Sequence, residues 1–206
     1  MSNVAGKAYA INALSPMRRY LTWFNEFTFM FSRSKPSTLV SLLGLSFIHF
    51  ARWVIVRRDD WPDLGQGKQD LANDYLLFCS NFNGTWDQYI DAFADGFPSG
   101  LDFFWTTSTK YPQSIPITGF KNYIRVNQAD TDYYYNAVPG AAQWDVKAAL
   151  RVRRALLRLS REGASLPPQE FRKLYIEQLL AVQFDLGAQG YAPVASNDTD
   201  NAERFR

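Results

Sequence analysis

The chain has almost no cysteine and almost no histidine, and both shortages exclude kinds of site. Of its 206 residues one is cysteine, Cys79, and one is histidine, His49. A single cysteine cannot form an intramolecular disulfide, and a lone thiol is typical of a reducing compartment. Zinc sites need several cysteine or histidine ligands, so the sequence predicts no metal site. We therefore expect a cytoplasmic protein without a bound metal.

Long hydrophobic runs are also lacking, as is a strong excess of charge of either sign. No apolar stretch approaches the roughly 20 residues that a membrane-spanning helix needs. The first fifteen residues have neither the basic start nor the apolar stretch of a signal peptide. With 22 basic and 20 acidic residues the formal net charge is +2, so we expect no nucleic-acid partner.

Aromatic residues, in contrast, are abundant. They make up 16% of the chain, which indicates an aromatic core, an apolar pocket or an apolar surface. The length suits one well-buried core and is short for two. We expect a flexible arm over residues 1–15, a single α+β domain over residues 16–190 and a polar tail over residues 191–206.

Residue periodicity predicts intermixed helices and strands. Apolar residues at three- and four-residue spacing predict a helix from Pro16 to about Phe31. Further helices are predicted over residues 38–45, 85–94, 118–126, 145–161 and 168–186, and strands over residues 48–56, 75–82, 101–107 and 132–138. This order favours a ferredoxin-like α+β fold, an antiparallel sheet with helices on one face, extended by N- and C-terminal helices.

The first predicted strand carries two candidate polar residues. Side chains alternate along a regular strand, so His49 and Arg52 are expected on opposite faces. Both faces are largely apolar, which indicates helices on one face and a partner subunit or a pocket on the other. We favour His49 as a neutral core histidine; a general base, a haem ligand and a solvent-facing residue are the alternatives.

The segment Ser80–Tyr89 joins the second predicted strand to a helix. Unpaired N–H groups at a helix N-terminus favour anions, so a carboxylate or phosphate beside Asn81 is one interpretation. The other is local. Asn83 and Gly84 would form the turn, and Thr85 would cap the helix in a capping box with the glutamine three residues on. We favour the local interpretation.

Charged residues recur on two predicted helices. Asp87, Asp91 and Asp95 form an acidic stripe, either a solvated face or a cation site, and we favour the first. We expect its counterpart to be the basic stripe Lys147, Arg151, Arg154, Arg158 and Arg161. That stripe is otherwise a contact for anionic lipid, nucleic acid or an acidic partner, or a solvated face.

The N-terminal helix has more aromatic residues than one core contact requires. Together with Arg18 and Arg19 it is similar in character to an interfacial membrane helix, and residues 16–35 are a candidate contact with a membrane surface. Asn25 and Glu26 argue against this role. Burial against the sheet or a second subunit is the alternative, which we favour.

Three segments, Ile48–Trp53, Leu77–Phe93 and Phe120–Pro139, resemble a largely uncharacterised, mainly actinobacterial family. Its members share the Ser-Asn-aromatic-Asn/Asp-Gly-Ser/Thr-Trp junction found at residues 80–86. The resemblance covers residues 15 to 160. The family is distantly similar to ferredoxin-like dimeric α/β-barrel proteins, including dye-decolorising haem peroxidases. Their distal Gly-x-x-Asp-Gly segment and C-terminal histidine are missing here, so no haem or other cofactor is predicted.

Two functions from different classes are consistent with these features. The leading hypothesis is a homodimer, paired through its sheet or its helices, that either binds or both binds and transforms an apolar or aromatic small molecule. Its candidate catalytic residues are His49, Arg52, Asn81 and Tyr134, and its candidate substrate-binding residues are Trp53, Trp105, Phe103 and Phe82. The alternative is a non-catalytic membrane or protein-interaction module that uses the aromatic N-terminal helix and the arginine stripe.

Overall fold

The computed structural model describes residues 3–34, 47–69 and 71–187, which form an α+β fold. Its four strands are β1 (Val4–Ala5), β2 (Ala8–Met17), β3 (Ile48–Val56) and β4 (Asp74–Asn83). Its six α-helices are α1 (Thr22–Ser34), α2 (Trp86–Gly96), α3 (Pro98–Trp105), α4 (Ile117–Asn127), α5 (Gln143–Glu162) and α6 (Pro168–Ala181). A 3₁₀ turn, Gly163–Ser165, joins the last two helices.

The sheet is antiparallel and has the strand order β1-β2-β4-β3. The central strand, β4, pairs with β2 along its whole length, from Ala8 opposite Asn83 to Met17 opposite Asp74. On its other side it pairs with β3, the preceding strand, as an antiparallel hairpin. α1 lies between β2 and β3 in the chain, and those two strands flank β4 from opposite sides.

One face of the sheet carries the core. Leu76, Phe78 and Phe82 of β4 are buried there among aromatic residues of the helices. The ring of Phe82 stacks on Tyr89 of α2 at a centroid distance of 3.8 Å, and Phe78 lies 5.1 Å from Trp105 of α3. Burial of each such side chain contributes about 1.5–3 kcal/mol relative to exposure, so this face supplies most of the stability.

The other face of the sheet is only partly covered. Leu14 of β2 and Phe50 and Val54 of β3 are 40%, 48% and 42% exposed on this side. This is the face on which the sequence predicted a partner subunit or a pocket, and that expectation stays a prediction. Four apolar residues of β3, Trp53 and Ile55 among them, pack against the core, whereas Phe50 and Val54 contact solvent.

The first fifteen residues do not form the predicted arm. Residues 8–15 belong to β2, a fully paired strand in which Ile11 is completely buried, and the helix predicted from Pro16 begins at Thr22. The small residues Ala8, Ala10 and Ala13 weaken the strand signal of this segment. They are buried because neighbouring chain segments cover both sides of the strand.

Two of the four predicted strands are also wrong. Residues 101–107 lie mainly in α3, where Pro98 occupies the first turn and the spacing of Leu101, Phe104 and Trp105 buries one helical face. Here helical periodicity outweighs the β-propensity of the aromatic residues.

Residues 132–138 form no regular strand, and the chain around them runs along the free edge of the β1–β2 pair. The backbone N–H of Ala129 donates to Asn12 (2.8 Å), and the side chain of Asn136 donates to the Ala5 carbonyl (3.0 Å). Side-chain amides thus satisfy part of an edge that a regular strand would otherwise pair.

The remaining helices follow the predictions closely. α2, α4 and α5 occur within two residues of the expected bounds, and the last helix begins at Pro168 as expected but ends at Ala181. The short helix predicted over residues 38–45 lies outside the described residues. Helices with strong periodicity and clear end signals were the elements that local sequence specified best.

Candidate functional site

The predicted polar residues do not form one cluster. Asn81 donates a side-chain hydrogen bond to the Tyr134 hydroxyl on the partly covered face of the sheet. Burial raises the pKa of Tyr134, and the Asn81 hydrogen bond opposes that rise only in part, so the phenol is neutral at physiological pH. Arg52 lies on the same face, on β3, and is exposed. Of the four predicted catalytic residues, Asn81 and Tyr134 are therefore the two that hydrogen-bond to each other.

His49 lies at an irregularity in the sheet. The pairing of β3 with β4 shifts between Ile48 and Phe50, which leaves His49 without an opposite residue. His49 is exposed, so the prediction of a core histidine is wrong. Partial desolvation of its ring lowers the pKa of His49, and a hydrogen bond with Asn83 acts in the opposite direction. The expectation that His49 and Arg52 lie on opposite faces assumed that side chains alternate regularly along the strand, and the bulge interrupts that alternation.

The predicted aromatic site residues lie mostly in the core. Phe82 and Trp105 are completely buried, and the ring of Trp53 lies 4.8 Å from that of Phe104. Phe103 is on the outer side of α3 and is 39% exposed. Because the core and the Asn81–Tyr134 pair occupy opposite faces of the sheet, these aromatic rings cannot line a pocket with those polar groups.

A cavity of about 900 Å³ lies along α5, far in the chain from the predicted site. Trp144, Leu150, Arg153, Leu156 and Phe184 are among its lining residues, and none of the eight predicted site residues lines it. The cavity escaped sequence reasoning because it depends on how α5 packs. The one sequence feature that could have indicated this cavity is the width of the apolar stripe on α5.

The strand-to-helix junction, residues 80–89, is explained by local contacts. Gly84 has a φ of 107°, which a side-chain-bearing residue rarely adopts. The Thr85 hydroxyl accepts from the backbone N–H of Gln88 (3.3 Å), and the Gln88 side chain accepts from the backbone N–H of Thr85 (3.2 Å). The predicted capping box is therefore confirmed.

Three other junction residues are also held by the fold. The Trp86 indole donates to Gln128 (2.7 Å) and lies beneath the guanidinium of Arg125, 4.4 Å from the ring centroid. The Ser80 hydroxyl donates to the Phe50 carbonyl (2.9 Å). Asn83 is buried and bridges separate segments, because it donates to the Lys7 carbonyl and accepts from the backbone of Gln143. These contacts give the junction a structural role.

The acidic and basic stripes do not face each other as expected. Asp87 pairs with Lys121 (3.1 Å) and Arg125 (3.2 Å), and Asp91 pairs with Lys121 (2.7 Å). Residues of the basic stripe instead form ion pairs near α6. Arg151, for example, forms a bidentate pair with Asp185, just beyond α6, with both distances 2.7 Å. Each stripe thus finds its partners on elements nearer in the fold, and the expected pairing of the two is wrong.

α1 has its polar side inward and its aromatic side outward. Thr22, Asn25, Thr28 and Ser32 are the residues it buries. The side chain of Asn25 donates to the Phe104 carbonyl (3.2 Å) and accepts from the Thr107 hydroxyl (2.7 Å). Inward polarity of this kind is stable because the buried amide is hydrogen-bonded on both of its polar atoms.

The opposite side of this helix forms what we call the outward aromatic face, which consists of Tyr20, Trp23, Phe27 and Met30. These side chains are 69%, 64%, 53% and 64% exposed. Trp23, Phe27 and Met30 follow one another at spacings of four and three residues, which aligns them on one stripe of the helix. The Trp23 indole N–H donates to the Tyr20 carbonyl (3.1 Å), which satisfies its polar atom while leaving the ring exposed.

Comparisons with protein-family models, with curated proteins and with solved structures give no match. Within the described ranges, no helix combines the length and the apolarity that a membrane crossing requires. The same residues contain no cluster of three or more His, Cys, Asp or Glu side chains placed to bind a metal ion. The candidate functional site therefore rests on surface geometry, and the outward aromatic face of α1 is its clearest feature.

Proposed function

We propose that the protein binds a membrane surface through the outward aromatic face of α1. One observation carries the proposal: the helix buries polar residues and exposes Trp23, Phe27 and Met30. A helix selected only to cover the sheet would show the reverse arrangement. Amphipathic aromatic side chains are enriched at the boundary between lipid headgroups and acyl chains, where such a face would be buried.

The two residues that argue against a membrane helix have other partners in the fold. Asn25 points inward to Phe104 and Thr107 and is completely buried, so it would not meet lipid. Glu26 forms an ion pair with Arg57, which reduces the negative charge beside the aromatic face. The polar residues of α1 are therefore consistent with interfacial binding.

The size of the face and its flanking charges favour an anionic lipid surface. Its four side chains present on the order of 500 Å² of accessible area, which is the size of the largest apolar patch on a typical monomer, about 300–600 Å², and such patches are often functional. Burial of half of that area would contribute about 6 kcal/mol at ~25 cal/mol per Å². Arg18, Arg19 and Arg33 are exposed near the two ends of the helix, and each would add about 1 kcal/mol beside anionic lipid.

Co-sedimentation with lipid vesicles tests the proposal. We expect the wild-type protein to sediment with vesicles of phosphatidylcholine and phosphatidylserine, and less with phosphatidylcholine alone. The double substitution Trp23→Ser and Phe27→Ser should weaken the partition coefficient at least about 100-fold, because two inserting aromatic rings are lost. Both residues are exposed, so the circular dichroism spectrum should be unchanged.

The matched control removes two aromatic rings elsewhere that are even more exposed. Tyr133 and Tyr135 are 82% and 72% exposed, and their replacement by serine should leave vesicle binding unchanged. The proposal is overturned if, at low salt, the wild-type protein stays in the supernatant with both kinds of vesicle. Equal loss of binding in the control and the α1 variant would also overturn it.

A ferredoxin-like fold is the second part of the proposal. The segment β2–α1–β3–β4–α2 has the element order of such a unit without its last strand, and β4 lies between β2 and β3. β1 pairs with the outer edge of β2, the edge on which a further strand would otherwise lie. This arrangement supports the proposal, and membership of the actinobacterial family remains a prediction that goes with it.

The small-molecule hypothesis also remains a prediction. It requires Arg52 or Asn81 and the aromatic residues Trp53 and Trp105 to share a pocket. These residues lie on opposite faces of the sheet, so the structure offers that hypothesis less support than the exposed face of α1.

A further inference from the structure

The last two helices form a hairpin that has one charged side and one apolar side. α5 and α6 contact each other across the Gly163–Ser165 turn. Ala148 and Ala155 are the buried residues of α5, and Leu174 and Gln178 are those of α6. Their spacing of seven and four residues places each pair on the helical stripe that faces the other helix. Small alanine side chains permit the two helices to approach closely.

The charged side of the hairpin is identified by an ion pair between the helices. Arg158 of α5 contacts Glu177 of α6 at 2.9 Å. Arg151, two turns earlier on α5, contacts Asp185 just beyond α6. At 3.6 residues per turn the other members of the basic stripe fall on this same side of α5.

The apolar side lies opposite the ion pair. On α5 it begins beside the buried alanines and continues around the helix, and on α6 it flanks Leu174. Because the helices are antiparallel, the two apolar flanks fall on one side of the hairpin. We call it the apolar side of the hairpin; it consists of Val146, Leu156, Phe171, Tyr175 and Leu179, which are 40–60% exposed.

A groove beside α5 has room for another helix. The cavity of about 900 Å³ follows α5 from Trp144 to Ser160 and is bordered by residues 184–187. A helical stretch of that extent is about 24 Å long at 1.5 Å per residue. Phe184 and Leu186, which are 87% and 54% exposed, extend the apolar border. A groove of this length and composition fits an apolar helical stripe better than a flat lipid surface.

We propose that a second copy of this chain occupies the groove, so that two hairpins form an antiparallel four-helix bundle. The apolar side together with Phe184 and Leu186 presents on the order of 800 Å², the area that each partner contributes to a standard stable interface. A two-fold axis makes such a surface complementary to itself. It also places the two basic sides outward, where their like charges stay apart and solvated.

Charge insertion at two equally exposed leucines tests this interface. Leu156 lies on the apolar side and Leu180 on the back of α6, and they are 60% and 59% exposed. The wild-type chain should elute with a light-scattering mass twice its 23.6 kDa. Leu156→Glu should halve that mass, whereas Leu180→Glu, the same chemical change off the interface, should leave it doubled.

Sedimentation equilibrium of the wild-type protein gives a readout that does not depend on a variant folding. A single dimer dissociation constant should describe it, and Leu156→Glu should raise that constant at least about 100-fold, with an unchanged circular dichroism spectrum. A monomeric wild-type chain at about 100 µM overturns the proposal. A dimer that survives Leu156→Glu overturns it as well, since it points to the partly covered sheet face instead. Vesicle binding through α1 does not enter either measurement, so the two proposals fail independently.

Discussion

The side-chain oxygen of Asn83 accepts a hydrogen bond from the backbone N–H of Gln143 at 2.8 Å, and this contact joins the end of β4 to the start of α5. The same amide donates to the Lys7 carbonyl at 3.0 Å, immediately before β2. Gln143 in turn donates from its side chain to the Ile48 carbonyl at 2.8 Å. One buried asparagine thus ties together segments that are 76 and 60 residues away along the chain.

Replacement of Asn83 by alanine should therefore be costly. It leaves the Lys7 carbonyl and the Gln143 backbone N–H without their partner, and the expected loss in the free energy of unfolding is about 2–4 kcal/mol. Urea denaturation followed by circular dichroism measures it. Asn127→Ala is a suitable control, since that side chain makes only a local bond to the Tyr123 carbonyl and its loss should cost about 1 kcal/mol or less. Similar losses for both variants would contradict the bridging role of Asn83.

The capping box predicts a smaller and partly cooperative loss. Thr85→Ala removes the acceptor for the Gln88 backbone N–H and should destabilise the protein by about 1 kcal/mol. Gln88→Ala removes the reciprocal bond to the Thr85 backbone. Because the two side chains cap one helix end, the double variant should lose less than the sum of the single losses. Strict additivity in urea denaturation would show that the two bonds act separately.

α1 reverses the usual cost of polar and aromatic substitutions. Asn25→Leu should destabilise the fold by about 2–4 kcal/mol, because Thr107 and the Phe104 carbonyl lose buried hydrogen bonds. Trp23→Ser on the exposed side should change the free energy of unfolding by no more than about 0.5 kcal/mol. Thermal denaturation of the two variants compares them directly. A larger loss for Trp23→Ser would mean that its ring packs against the fold.

Stability should fall in acid through Asp74. Burial by itself raises the pKa of this carboxyl, but hydrogen bonds from the Thr22 hydroxyl and the Arg58 backbone, with the charge of Arg58, outweigh it and hold the pKa below its ordinary value. A pKa that is lower in the folded state stabilises the protein fully above the unfolded value of about 4. That contribution is lost as the pH falls from there through the lower folded pKa.

Asp74→Asn provides the corresponding measurement. At pH 7 the variant should be less stable than the wild-type protein, and the difference in urea midpoint should shrink as the pH is lowered below about 4. Glu26→Gln is the control, because its ion pair with Arg57 is at the surface and contributes little. A difference between Asp74→Asn and wild type that stays constant down to pH 2 would exclude the linkage.

Local signals predicted the strands β3 and β4 and the start of α2. Thr85 and Gln88 are three residues apart, and Gly84 directly precedes them, so this helix start needed no distant partner. The same holds for the long helices, whose apolar periodicity and flanking proline residues are visible in the chain. Short-range interactions of this kind act in any tertiary context, which is why sequence reasoning identified them.

Residues with competing preferences were assigned by the tertiary structure. Phe103, Phe104 and Trp105 have strand propensity, yet they lie in α3 because burial of Phe104 and Trp105 against the core decides their conformation. β2 was missed because its alanines are buried by covering segments rather than by their own hydrophobicity. Neither outcome depends on nearest neighbours alone.

The candidate site shows the same division. The sequence by itself determined that α1 is rich in aromatic residues, that His49 is the sole histidine and that α5 is amphipathic. Only the tertiary structure decided that Asn25 faces inward, that Asn81 meets Tyr134 across 53 residues, and that Trp53 and Trp105 enter the core. The orientation of a helix face is set by which contacts satisfy the groups it buries, and those contacts come from residues far away in the chain.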